Sequence, residues 1–339
     1  PRRVAGRLGT IQRLMDGLVD AAVVRGGPVD VVNDLAHPLA MSVVCDLLGA
    51  PPTRGEVDRL LRASNAISGL LEMGELQQLH RSQDGMLDVI DYLRPHVAAA
   101  RAGNGSGLLA VLTGPDAARL DYDDDQIAAQ GIMFVVVGYH TTANLLTNGL
   151  QLLFDHPEQR RTLLERDFAN LPNAFDEMIR FHGPVSTIRR VALSDIVLRG
   201  DAAQVIRVAD NPALKTQIGN DIVTSDGTTL LGADNKERIA AGDTVVLALL
   251  AANRDPAVFD RPDAFWVDRP NAHRQVGFTV GPYSCMGQAL ARLEGSVFFS
   301  TLVTRFPRMA PADPQPDWTV FRPLGRELRT LRVLLDGRP

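Results

Sequence analysis

The chain has 339 residues, of which 45% are hydrophobic, and a formal net charge of −5. This length supplies one large domain or two ordinary ones, with enough apolar material for a sizeable core. The acidic balance excludes the basic footprint of a nucleic-acid-binding surface, and two cysteines, Cys45 and Cys285, exclude a disulfide scaffold.

Pro1-Arg2-Arg3-Val4 reads as the middle of a domain. Apolar residues at helical spacing predict helices over Leu8–Val24 and Val29–Leu48, the second with a possible kink at His37-Pro38. Cys45 lies in that apolar run and reads as a small buried hydrophobe. Further helices are expected over Glu56–Ser68, Glu75–Arg101 and Gly107–Leu112. The longest candidate is Asp124–Phe154. Acidic Asp123-Asp124-Asp125 suits its N-terminus, and Ile132–Val137 is apolar all round, which predicts burial in a large core. Short helices follow over Pro157–Arg166 and Leu171–Phe181, the latter ended by Gly183-Pro184. From Val185 the pattern turns to short strands, in residues 186–198 and 221–249. A short helix is expected over Asp255–Phe259, then a Pro-rich meander to about residue 275, then a last helix over Gln288–Phe306. No apolar run of about eighteen residues and no signal peptide is read, so the expectation is a soluble, cytoplasmic protein without a membrane part.

Three constellations carry chemistry. The first is Phe278-Thr279-Val280-Gly281-Pro282-Tyr283-Ser284-Cys285-Met286-Gly287. It sets a cysteine in a Gly- and Pro-rich turn just before a helix, where free backbone N–H groups favour a thiolate. Gly281 and Gly287 leave room for a flat group against the backbone, an arrangement suited to holding sulfur on a haem iron. The second is Glu177-Met178-Ile179-Arg180, where residues three apart on a helix can pair as carboxylate and guanidinium. The third is Gly138-Tyr139-His140-Thr141-Thr142 inside the long helix. A mid-helix glycine costs roughly 1 kcal/mol against alanine and needs a reason, and the hydroxyl pair can back-bond to the preceding turn.

The cysteine segment resembles the ligand loop of the cytochrome P-450 family, Phe-x-x-Gly-x-x-x-Cys-x-Gly. The other two constellations follow in the family's order. The resemblance implies a mainly α fold with small β-sheets and a long central helix over haem b, in a single haem-binding domain spanning the chain. It implies Cys285 as the metal ligand, with Phe278, Gly281 and Gly287 shaping its loop. Glu177 and Arg180 lock the core beneath the haem. The usual third arginine is missing from Pro262-Asp263-Ala264-Phe265, so Arg269 or another residue substitutes, or the triad is a pair. Arg190 and Tyr283 are implied at the haem propionates. Gly138 is implied to open space for dioxygen, and Thr141, with His140 and Thr142, to route protons. Phe134, Val136, Val137, Val185, Ser186, Thr187 and Ile188 are implied to line a substrate pocket.

The sequence departs from the family at several points. Val137 stands where Ala or Gly is usual, and His140 replaces an acid. The family's first helices are not matched, and residues 199–220 read as an insertion. The implied function is a haem-thiolate monooxygenase that oxidises an apolar small molecule in natural-product tailoring. Its electrons come from a ferredoxin and an NAD(P)H-linked ferredoxin reductase. Two alternatives stay open: a non-catalytic P-450-like scaffold for a partner enzyme, and haem-thiolate oxidation using peroxide or linked to nitric oxide.

Overall fold

The computed structural model describes residues 4, 6–68, 76–199, 236–321 and 325–336. The expected insertion at 199–220 lies, apart from residue 199, outside the described residues, as does the strand candidate before residue 236.

The helices follow the apolar periodicity closely. They are α1 (Leu8–Arg25), α2 (His37–Leu48), α3 (Arg54–Ser68), α4 (Leu76–Arg101), α5 (Gly107–Leu112), α6 (Asp124–Asp155), α7 (Pro157–Glu165), α8 (Leu171–His182), the single turn α9 (Leu249–Ala252) and α10 (Gln288–Arg305). The segment expected as one helix from Val29 divides into strand β1 (Val29–Asp30), a π-helix (Val31–Ala36) and α2. The break falls at the expected kink, where Pro38 lacks an N–H to donate. Val31–Leu48 does meet the length and hydropathy of a membrane span, contrary to expectation, but 67% of it is buried inside the protein. It is a core element packed against α6. Asp255–Phe259 forms one hydrogen-bonded turn, with Val258 and Phe259 N–H both donating to the Asp255 carbonyl. The expected helix there is corrected to a turn, because Asp255 Oδ1 caps Ala257 N–H locally and nothing extends the ladder.

The strands form small antiparallel sheets. β1, β9 (Arg332–Leu334) and β6 (Ala310–Pro311) make one three-stranded sheet. β2 (Thr187–Val191) pairs with β5 (Thr244–Ala248) in the register Thr187↔Ala248 to Val191↔Thr244. β3 (Ile196–Arg199) pairs with β4 (Lys236–Ile239), and β7 (Asp317–Phe321) with β8 (Gly325–Thr330).

α6 organises the whole. A capping box starts it: Gln126 N–H donates to Asp123 Oδ1 at 2.7 Å, and Asp123 N–H donates to Gln126 Oε1 at 2.9 Å. α2, α4, α8 and α10 all pack against it. Its second half, from Thr142 to Leu153, is buried throughout. The middle is not, which corrects the expectation of all-round burial. Met133 is 65% and Val137 59% exposed, whereas Val135 and Tyr139 are fully buried. One face of α6 is therefore left open, one turn at a time.

Candidate functional site

The open face of α6 carries Met133, Val137 and Thr141, spaced four residues apart and so aligned along one side. Thr141 Oγ1 donates to the Val137 carbonyl at 2.9 Å, the back-bond expected of a mid-helix hydroxyl. Thr142, on the other side, is buried in the core. Phe134 and Val136 pack partly against the core, so of the three α6 pocket candidates Val137 alone stands on the open side. A Cβ on Gly138 would lie 2.8 Å from Val44 Cγ2, so the glycine eases the close approach of α2.

The His140 ring is buried and turned toward β8, where Nε2 lies 2.6 Å from Glu327 Oε2. Asn144, one turn on, donates to the same oxygen at 2.9 Å. The His37 ring stands edge-on at 6.0 Å. Burial, and then the neighbouring His140, push the His37 imidazole down to about 4. Burial pushes the Glu327 carboxyl up, but the hydrogen bonds from His140 and Asn144 and the nearby imidazoles outweigh it, leaving the carboxyl below its ordinary value.

The cysteine loop is anchored on the opposite side of its own backbone. Val276 N–H donates to Asn253 Oδ1 at 2.8 Å, and Gly277 N–H to Gln275 Oε1 at 2.7 Å. Gln275 Nε2 and Arg292 both donate to Asp176 Oδ1 of α8. Arg292 also lies over the Phe278 ring at 5.5 Å. Thr279 holds a positive φ of 57°, fixed by Oγ1 donating to the Tyr283 carbonyl at 2.8 Å. Cys285 N–H donates to the Phe278 carbonyl at 2.9 Å, which turns the chain into α10. Cys285 itself is exposed, unlike buried Cys45, whose thiol burial pushes up to about 12. A Cβ on Gly287 would sit 3.7 Å from Cys285 Sγ, and Gly281 (φ 75°) has open space where its Cβ would be.

Glu177 and Arg180 pair as the helical spacing predicts, through Nε to Oε2 at 2.6 Å and Nη2 to Oε1 at 2.9 Å. The third partner is Arg269, whose Nε donates to Glu177 Oε2 at 2.9 Å. Ala264 offers no charged side chain, yet its carbonyl accepts from both Arg180 and Arg269. All three charged side chains are buried. They tie α8 to the meander that leads into the cysteine loop.

A chain of contacts through β2 and β8 links the cysteine loop to α6. Arg190 of β2 lies over the Tyr283 ring at 5.7 Å. Ser186, just before β2, lies against Gly325 of β8, whose Cβ would meet it at 3.6 Å. Two residues on, Glu327 bonds His140, next to Thr141. Val185, Ser186, Thr187 and Ile188 are all half-buried along this border. Tyr283 is 77% exposed and so borders the region instead of bracing it.

The chemistry of this region fits a haem. Val280, Met286, Met133 and Val137 are apolar and exposed, a surface that a protein does not ordinarily leave to water. A soft thiol stands at the loop, glycines keep its approach clear, and the Arg190 guanidinium suits carboxylate edges. Among the described residues no cluster of His, Cys, Asp and Glu offers a different metal site.

Sequence reasoning missed Glu327, Asn144 and the Asp176–Gln275–Arg292 link. Glu327 is 187 residues from His140, and no local pattern marks it.

Comparison with known proteins gives a concordant result. A family model described as Cytochrome P450 matches residues 227–322. The protein named "Putative cytochrome P450 140" in Mycobacterium bovis is 31% identical over 330 residues, covering 95% of this chain and 66% of that protein. The steroid C26-monooxygenase of Mycobacterium tuberculosis (strain CDC 1551 / Oshkosh) is 30% identical over 308 residues, covering 90% of this chain and 72% of that one. The crystal structure of mycinamicin VIII C21 methyl hydroxylase from Micromonospora griseorubida, bound to mycinamicin VIII, superposes with a TM-score of 0.77 at 26% identity, over 98% of this chain and 74% of that chain. The chain thus spans 66% of the length of the first of these relatives.

Proposed function

The chain belongs to the cytochrome P450 family, and on that premise we propose that it is a haem-thiolate monooxygenase acting on an apolar small molecule. The carrying observation is Cys285, an exposed cysteine in a loop cleared by Gly281 and Gly287 and followed at once by α10. The haem, as haem b, supplies dioxygen activation with two externally delivered electrons when it is bound.

The chain's own residues do the rest. Cys285 Sγ would ligate the haem iron, with Phe278, Gly281 and Gly287 setting the position of its loop. Arg190, with Tyr283 beneath it, takes the propionate edge. Glu177, Arg180 and Arg269 hold the meander rigid behind the loop, so that the ligand is preorganised. Thr141 holds a proton at Oγ1 on the open face. Val137, Val185, Ser186, Thr187 and Ile188 exclude water and orient the substrate, with Phe134 and Val136 behind them.

The whole chain acts as one haem-binding domain in this reading. The named activities of the relatives, on a steroid and on mycinamicin VIII, favour a bulky apolar substrate and a natural-product tailoring role. The electron donors are a ferredoxin and its reductase, and the setting is the cytoplasm.

The test is an absorption spectrum of reduced, haem-loaded protein under carbon monoxide, beside Cys285→Ser. The expected result is a strongly red-shifted Soret band that the variant lacks. An unshifted band in the unaltered protein overturns the reading.

A further inference from the structure

The family pattern places an acid immediately before the helix threonine, and this chain has His140 there. The structure brings a carboxylate against the His140 ring from another element. Glu327 arrives from β8, with Oε2 2.6 Å from His140 Nε2. Asn144 Nδ2 holds that oxygen from the next turn of α6 at 2.9 Å. The pair is largely enclosed, with side-chain exposures of 7% for His140 and 18% for Glu327. We infer that Glu327 is a positioning residue of the proposed reaction, fixing the His140 ring with its proton on Nε2 and supplying from β8 the acid function that α6 lacks in its own sequence.

The argument is one of donors and acceptors. An ionised carboxylate only accepts, so the short contact requires the imidazole proton on Nε2, whether the ring is neutral or charged. Asn144 Nδ2 already occupies another acceptor site of Oε2, which fixes the carboxylate's orientation. The charged and titratable groups facing the couple are His37 at the start of α2 and, beyond it, Asp30 of β1, together with Tyr139 of α6. His37 stays neutral at ordinary pH and does not compete for the carboxylate. No bond forms or breaks in this inference: the proton stays on His140 Nε2 and Glu327 Oε2 accepts from it.

The inference rests on the monooxygenase reading for its catalytic consequence, but its geometry is testable without haem. In the full chain labelled with nitrogen-15 histidine, N–H correlation spectra at about pH 7.5 are expected to show His140 with its proton on Nε2, and E327Q to show a mixture of tautomers. An unchanged tautomer in E327Q overturns the proposal. In haem-loaded protein supplied with NADPH, spinach ferredoxin and ferredoxin reductase, E327Q is expected to slow NADPH consumption by about tenfold or more. The double variant E327Q/H140D, which returns the acid to α6, is expected to restore the rate to within about twofold. Equal loss in both variants would make Glu327 only a tether of β8 and overturn the proposal. Should E327Q not fold, E327D keeps the charge while withdrawing it by one methylene, and a full rate with a scrambled tautomer counts against the proposal. Failure of the carbon monoxide band in unaltered protein would instead sink the haem reading, while the tautomer spectra still decide the couple.

Discussion

Arg269 reaches from the meander to α8 and donates Nε to Glu177 Oε2 at 2.9 Å, completing a carboxylate that Arg180 already grips with two nitrogens. The carbonyls of Asp260, Arg261 and Ala264 accept from its Nη1 and Nη2. Removing one partner of such a buried set leaves the others charged or unpaired, at a cost of about 3–5 kcal/mol. Arg269→Leu is therefore expected to lower the unfolding free energy by about that amount and to loosen haem binding in parallel. Urea unfolding and haem release to apomyoglobin measure the two. An Arg269→Leu protein as stable as the unaltered chain would mean the triad does not brace the loop.

The exposed edge behaves in the opposite way. Arg190 is exposed and, besides its place over Tyr283, bonds only its neighbour's carbonyl among the contacts described. Arg190→Ala is expected to leave stability within about 0.5 kcal/mol but to weaken haem retention about tenfold, through loss of a guanidinium–carboxylate pair. Haem titration beside thermal unfolding separates the effects. Unchanged retention would move the propionate site elsewhere.

His37 and Glu294 give the stability opposite slopes with pH. The unfolded chain protonates His37 below about pH 6.5, while burial delays that proton in the folded chain to about pH 4. Stability therefore falls as pH falls through that window, by roughly 3 kcal/mol in total. Glu327, held below its ordinary value, adds a loss in the same direction at the acid end. Glu294 of α10 is buried, and its Oε2 has no hydrogen-bond partner among the described residues; burial raises its carboxyl well above the ordinary 4.5. The folded chain then keeps a proton that the unfolded chain gives up, so stability falls as pH rises above about 4.5. His37→Phe is expected to flatten the acid limb, and Glu294→Gln the alkaline one. Urea unfolding from about pH 4 to about pH 9 reads both slopes, and parallel curves for the variants would contradict the assignments.

What the sequence made legible was local. The start of α6 follows from the acidic run Asp123-Asp124-Asp125, and the Glu177–Arg180 pair from residues three apart on a helix. Arg269 was one of the stated options for the third partner, and the structure selects it because the meander folds back over α8. The open face of α6 was not legible. Ile132–Val137 is apolar on every side, and composition does not tell whether protein or a bound group covers a given side. Glu327 was hidden for a different reason, since a strand glutamate near the C-terminal end carries no cue to a helix histidine far upstream. Nothing local pairs His37 with His140 either, although the structure brings the two rings to 6.0 Å.

Gly138 and Val137 are neighbours on α6 with opposite surroundings, and substitutions at the two should separate stability from site shape. A Cβ on Gly138 would press within 2.8 Å of Val44 Cγ2, a short branched side chain that is itself buried and has little freedom to yield. Alanine's better helix propensity returns about 1 kcal/mol, while overpacking costs about 1–3 kcal/mol. Gly138→Ala is therefore expected to be neutral to destabilising by about 2 kcal/mol, and Gly138→Val more so. Val137 is mostly exposed, so Val137→Ala is expected to keep or slightly raise stability, because alanine is the better helix former. Its effect should fall on the open face, as a change in the haem absorption spectrum when a bulky apolar ligand such as a macrolide is added. Thermal unfolding and ligand difference spectra of the two variants decide this. A Val137→Ala protein that unfolds early, beside a Gly138→Ala protein that binds ligands differently at unchanged stability, would reverse the assignment of the two faces.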